Sequence, residues 1–176
     1  MENNIIYSGK VRIKTNNNSV VKKPNSGTFM LFRTLCELLT NVTANDTRSI
    51  PSHIAIIYDD TSEFTKESFN EKPNYFDYSD YYILSTPAPI ASREVLAQEN
   101  KYTTRFTCFL PNSLLLSFVE SLSSHTKIHI LMLNSYKQIL AAVSDYQLQD
   151  LSGVIDDANG QVAIEWEMSF ANKEEN

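Results

Sequence analysis

Glycine is scarce in this chain, with four residues in 176, at Gly9, Gly27, Gly153 and Gly160. They are dispersed, and neither G-x-G-x-x-G nor G-x-x-x-x-G-K-[ST] occurs, which excludes the phosphate cradles that depend on close glycine backbone approach. No G-x-S-x-G nucleophile elbow is present, so the three histidines have no obvious serine partner. Cysteine is limited to Cys36 and Cys108, too few and too far apart for a disulfide framework. Both sit in apolar patterns and read as small core residues. Positive charge is in the minority, 15 Lys and Arg against 21 Asp and Glu, for a net charge of -6 and a pI near 5.0. Nucleic acid is therefore not expected as the main ligand. No apolar run approaches the roughly 18 residues of a membrane span. The longest largely apolar stretches, such as 128–133 with His129 inside it, suit a buried strand. The first residues carry neither a basic n-region nor a long apolar stretch, so a soluble protein made in a cytoplasm is expected.

Hydrophobic residues make up 42% of the chain and aromatics 11%, with a mean hydropathy of -0.28, a globular profile. At this length one domain over 1–176 is expected, burying about 70% of the unfolded surface without a metal or disulfide staple. Charge is unevenly placed. Residues 1–50 hold seven bases and three acids, for +4, and the remainder holds eight bases and 18 acids, for -10. Such asymmetry can orient a molecule against a neighbour, including a second copy, although a solvated basic hairpin face is the simpler reading.

Along the chain, apolar and basic residues alternate through Val11-Arg12-Ile13-Lys14, and Asn16-Asn17-Asn18 is turn material. A basic hairpin over 5–23 follows, interrupted by Pro24. Asn25-Ser26-Gly27-Thr28 supplies N-cap candidates for a helix over about 28–41, where Leu31, Phe32, Leu35, Leu38 and Leu39 form one stripe. Strands are expected at 52–58, 102–110, 127–133 and 138–144. Shorter ones are expected around 81–84 and 90–96, the latter with a helix as the alternative. The segment 114–122 reads equally as helix or strand. Asn159-Gly160 signals a hairpin turn into the clearest strand, where Val162, Ile164, Trp166, Met168 and Phe170 share one face and Glu165, Glu167 and Ser169 the other. A polar tail is read at 171–176. The expected fold is mainly β with one prominent helix: an antiparallel β-sandwich or distorted barrel with the helix packed on it.

Chemistry-bearing residues are few. His125 and His129 stand four apart, but without H-E-x-x-H, and His53 is no inferable third ligand, so no metal or cofactor is expected. Asp156 to Gly160 lacks calcium-loop spacing and reads as a turn. Glu165 and Glu167 are close enough for a carboxylate pair of the glycosidase kind, yet a charged outward strand face is the plainer reading, and no catalytic residues are assigned. The most unusual segment is Tyr75-Phe76-Asp77-Tyr78-Ser79-Asp80-Tyr81-Tyr82, whose tyrosines suit an internal plug, a protein interface or a sugar platform.

Tyr7-Ser8-Gly9-Lys10-Val11-Arg12-Ile13, then Asn25-Ser26-Gly27-Thr28 opening Leu31-Phe32-Arg33-Thr34-Leu35, and finally Ile164-Glu165-Trp166-Glu167-Met168-Ser169-Phe170, resemble small virion structural proteins of tailed bacteriophages. The Asn-rich, glycine-poor composition is similar to that of the crAss-like phages. The likeness covers the two ends of the chain and has no counterpart for the tyrosine-rich segment. It implies a non-enzymatic part of a portal, neck, tail or capsid, made in the host cytoplasm and located in the virion. Its partners would be other virion proteins and copies of itself, with no membrane involved. The candidate interface residues are Lys10, Arg12, Lys14, Lys22, Lys23, Tyr75, Phe76, Tyr78, Tyr81 and Tyr82. The alternative is a carbohydrate-binding β-sandwich used in host adsorption.

Overall fold

The computed structural model describes residues 5–15, 19–22, 26–27, 50–59, 82–99, 101–152, 154–155 and 160–172. Their strands form two five-stranded sheets in which every pairing is antiparallel. The first sheet runs in the order β2 (Ser19–Lys22), β1 (Ile5–Lys14), β10 (Gln161–Asn172), β7 (Lys101–Pro111) and β6 (Ser92–Gln98). The second runs β3 (Ser26–Gly27), β9 (Ile139–Gln147), β8 (Lys127–Asn134), β4 (Pro51–Asp59) and β5 (Tyr82–Pro89). The protein is a mainly β, two-sheet antiparallel sandwich with a helix packed on it.

The two sheets differ in the way their sequences differ. In the first, alternation places Val11, Ile13, Val162, Ile164, Trp166, Phe106 and Cys108 on the inner face and polar residues on the outer one. In the second, Ile54 to Ile57 and Ile130 to Leu133 are continuous apolar runs, the latter preceded by the buried His129, and both faces are buried. Ile54, Ile56, Ile130 and Met132 join the inter-sheet core, while Ala55, Ile57, Leu131 and Leu133 form a smaller cluster with Ile139 and Ala142. Burial on both sides leaves no position for a polar alternation. Across the core, the buried Tyr146 hydroxyl on β9 donates to the Val11 carbonyl on β1 at 2.7 Å, tying one sheet to the other.

Helix α1 (Asn112–Ser121) occupies the segment that reads equally as helix or strand. Leu115, Leu116, Val119 and Leu122 recur at helical spacing, Leu115 is buried in the core and the other three pack against it. The Asn112 N–H donates to the Gly160 carbonyl at 3.0 Å, which anchors the helix start to the beginning of β10. A short helix, α2 (Leu148–Ser152), leads from β9 toward β10. The helix read over 28–41 lies outside the described residues.

Several local expectations are corrected. Asn159-Gly160 closes no hairpin: β9 and β10, the strands on either side, belong to different sheets, and β10 pairs instead with β1 and β7. The polar tail begins later than composition suggests, because Ala171 and Asn172 still pair with Ile6 and Ile5. The strand expected from residue 90 starts at Ser92, since the chain changes sheets just before it. The Ile90 N–H donates to Ser52 of β4 at 2.9 Å, and the next N–H, of Ala91, donates to Thr107 of β7 at 2.8 Å. Pro87 and Pro89 do not end β5, because it is an edge strand, where a missing N–H donor is tolerated.

Candidate interaction surface

The outer face of the first sheet carries the charges. On β1 the alternation that buries Val11 and Ile13 turns Lys10, Arg12 and Lys14 outward, and on β10 it does the same for Glu165 and Glu167. The antiparallel register sets Lys10 opposite Glu167 and Arg12 opposite Glu165. The Lys10 ammonium lies 2.7 Å from Glu167 Oε2, that of Lys14 lies 2.7 Å from Glu165 Oε1, and Arg12 Nη1 lies 3.2 Å from Glu165 Oε2. From the other side, Arg105 on β7 donates through Nε to Glu167 Oε1 at 3.0 Å and brings Nη2 to 2.9 Å. Its Nη1 also approaches Glu94 on β6 at 3.5 Å.

Lys10, Glu167, Arg105 and Glu94 thus form one row across four strands with alternating sign. Cross-strand pairs of opposite charge stabilise a sheet, and this row repeats the device at each step. The Glu165 and Glu167 side chains are each only 7% exposed, shielded by the long stems of their cationic neighbours. Burial alone would raise the Glu167 pKa, but hydrogen bonds from Lys10 and Arg105, with their charges, outweigh it and hold the carboxyl below its ordinary range. Burial likewise works against the Arg105 cation, and Glu167, with Glu165 and Glu94, more than compensates, so its pKa is raised.

Glu165 and Glu167 lie on the outward strand face that alternation indicates, and the surrounding cations bury them there as ion-pair partners. With both carboxylates engaged by cations, they make a structural ladder. Part of the sequence's charge asymmetry is also accounted for inside the molecule, since three bases of the +4 region, Lys10, Arg12 and Lys14, meet two acids of the -10 region, Glu165 and Glu167.

The candidate interface residues fall into three groups. Lys10, Arg12 and Lys14 are together on β1. Lys22 stands opposite Val11 on β2, and Tyr82 opposite Tyr58 at the start of β5. Lys23, Tyr75, Phe76, Tyr78 and Tyr81 lie outside the described residues. The histidines are not brought together: His125 is exposed in a turn, His129 is buried on β8 opposite Ile57, and His53 holds its Nδ1 2.8 Å from the Ser52 hydroxyl on β4. Among the described residues no group of His, Cys, Asp or Glu is placed to hold a metal ion. None of their helices is long and apolar enough to cross a membrane.

What the sequence reading missed is the β6–β7 side of this sheet. Val95 and Leu96 on β6 are 72% and 37% exposed, and Tyr102 and Phe109 on β7 are 63% and 49% exposed. The visible signal is the Val95-Leu96 pair, two consecutive apolar residues that no alternation can bury together. Tyr102 misleads, because it shares the period-two face of Phe106 and Cys108, which are buried, while that face is open at Tyr102. A groove of about 580 Å³ lies beside the ladder, lined by Lys14, Ser92, Thr107, Phe109, Gln161 and Glu165 among others.

No protein-family model, no curated protein and no solved structure matches this chain.

Proposed function

We propose that this chain is a non-enzymatic structural or assembly protein of a phage particle, a portal, neck, tail or capsid accessory acting through repeated protein–protein contacts. The observation that carries this reading is the β6 edge of the first sheet, uncovered among the described residues, where large apolar side chains stay exposed on both faces of β6 and β7: Leu96 and Phe109 on the outer face, Val95 and Tyr102 on the opposite one. Apolar side chains left exposed along an unpaired sheet edge suit contacts with another chain. The resemblance of the chain's two terminal segments to virion proteins adds support. Mass spectrometry of purified phage particles checks the reading. The chain is expected in stoichiometric amounts with the other particle proteins, and its absence from intact particles overturns the proposal.

A second reading, a carbohydrate-binding module for host adsorption, is favoured by the groove, where half-exposed Phe109 stands among hydroxyl, amide and charged groups. An aromatic face beside polar partners suits a sugar ring. Glycan-array binding that is lost in Phe109→Ala supports it, and silence across the array removes it.

A further inference from the structure

Four strands bound the two sheets, and three of them are poor templates for another chain. β3 has two residues and β2 four. β5 carries Pro87 and Pro89 and pairs with β4 through register shifts. Short strands, prolines and bulges are among the devices by which sheet edges avoid pairing with another chain, and charged side chains, of which β6 carries Arg93 and Glu94, are another unless a partner strand matches them. β6 has none of the first three. It is seven residues long, contains neither proline nor lysine, pairs with β7 in unbroken register, and is exposed along almost its whole length. Its two large apolar residues, Val95 and Leu96, point to opposite faces, so an added strand would cover both.

We propose that β6 pairs antiparallel with β6 of a second copy about a two-fold axis at Leu96, joining two first sheets into one continuous ten-stranded sheet.

The register follows from sequence and charge. In a two-fold pairing, residues opposite each other share a face, so only axes passing through a residue are allowed. An axis at Glu94 would oppose two carboxylates, and an axis at Val95 would set Arg93 against Ala97 and Glu94 against Leu96. The axis at Leu96 sets Leu96 against Leu96, Val95 against Ala97, Glu94 against Gln98, and Arg93 against Glu99, the first residue of the following turn, each unlike pair occurring twice. Arg93 and Glu99 are both exposed; the Arg93 guanidinium donates through Nη2 to the Pro51 carbonyl at 2.9 Å, and its remaining N–H groups are the ones that would meet Glu99. Glu94, which ends the charged row and only reaches Arg105 at 3.5 Å, gains the Gln98 amide as a hydrogen-bond donor. Opposite charges and apolar side chains are matched in this register alone among the four centred on residues 94 to 97.

The pairing deepens the assembly reading and rests on it for its place in a particle. The test is sedimentation velocity of the full chain over a range of concentrations, with thermal melts to verify folding of each variant. A dimer that dissociates on dilution is expected. Leu96→Lys, which sets two cations on the axis, should be monomeric with a melt close to wild type, since the side chain lies at the surface. Arg93→Glu and Glu99→Arg should each weaken the dimer by about tenfold or more, because each disrupts two pairs and opposes like charges. The double variant R93E/E99R restores both pairs and should return to within about threefold of wild type. A monomer at every concentration overturns the pairing, and so does a dimer indifferent to Leu96→Lys. Either result leaves the assembly reading standing if the chain is found in particles, whereas a β6-dependent dimer absent from particles upholds the pairing and removes that reading.

Discussion

Lys10 and Glu167 stand opposite each other on β1 and β10, with the ammonium 2.7 Å from the carboxylate. One belongs to the basic first 50 residues and the other to the acidic remainder, separated by almost the whole chain. The charge asymmetry is in this respect a folding device, closing the two ends of the chain against each other in the middle of a sheet.

The Glu167 contribution should depend on pH in a defined direction. Its folded pKa is depressed below the ordinary value of about 4.3, so the stabilisation is fully present above that pH and is lost as pH falls through the lower folded value. Glu167→Gln should destabilise the protein by about 1–2 kcal/mol at pH 7. The gap between the two proteins should narrow as pH falls below about 4. Urea denaturation between pH 3 and pH 7 measures this, and a gap independent of pH would contradict it.

Tyr146→Phe removes the hydroxyl that bridges the sheets to the Val11 carbonyl while leaving the ring in place. A loss of about 1 kcal/mol is expected, the usual net value of one buried hydrogen bond. An unchanged denaturation midpoint would show that the bridge contributes nothing.

Trp166 is the sole tryptophan and has no exposed surface. Its fluorescence should therefore be blue-shifted and resistant to iodide in the native protein, moving red on unfolding. Among the described residues its indole N–H finds no acceptor, so Trp166→Phe forfeits volume but no hydrogen bond. It should cost less than about 2 kcal/mol, against about 3–5 kcal/mol for Trp166→Ala. Equal losses in the two variants would run against this.

Cys108 is fully buried beside Ile164, and burial pushes its thiol pKa up to about 12, although a backbone hydrogen bond from Ile164 acts the other way. In a Cys36→Ser background it should not react with a thiol reagent at pH 8 until denaturant is added. Prompt labelling of the native protein would place Cys108 elsewhere than in the core.

The β-rich class and most strands were legible because period-two alternation and continuous apolar runs are local properties. The faces of β10, with Ile164, Trp166 and Met168 inward and Glu165 and Glu167 outward, follow from alternation alone, and burial of both faces at Ile130 to Leu133 follows from a continuous apolar run. For 114–122 local information was insufficient. Leu115, Val119 and Leu122 lie on one helical stripe, but a short leucine-rich run satisfies strand preferences as well, and only contact with the core selected the helix.

Strand order belonged to the tertiary structure. Asn159-Gly160 carries the chemistry of a hairpin turn, yet β9 and β10 lie in different sheets, because β10 finds its partners in β1 and β7. Pairing across so many residues depends on which apolar faces can be buried together, and no local pattern records that. The fate of the charges was decided in the same way. By itself the sequence determined which residues alternate, where charge accumulates and that glycine is too scarce for a phosphate cradle. Only the fold decided that Lys10, Arg12 and Lys14 would be paired within the chain while β6 was left open at the edge, since register and strand order are set by packing between residues far apart in sequence.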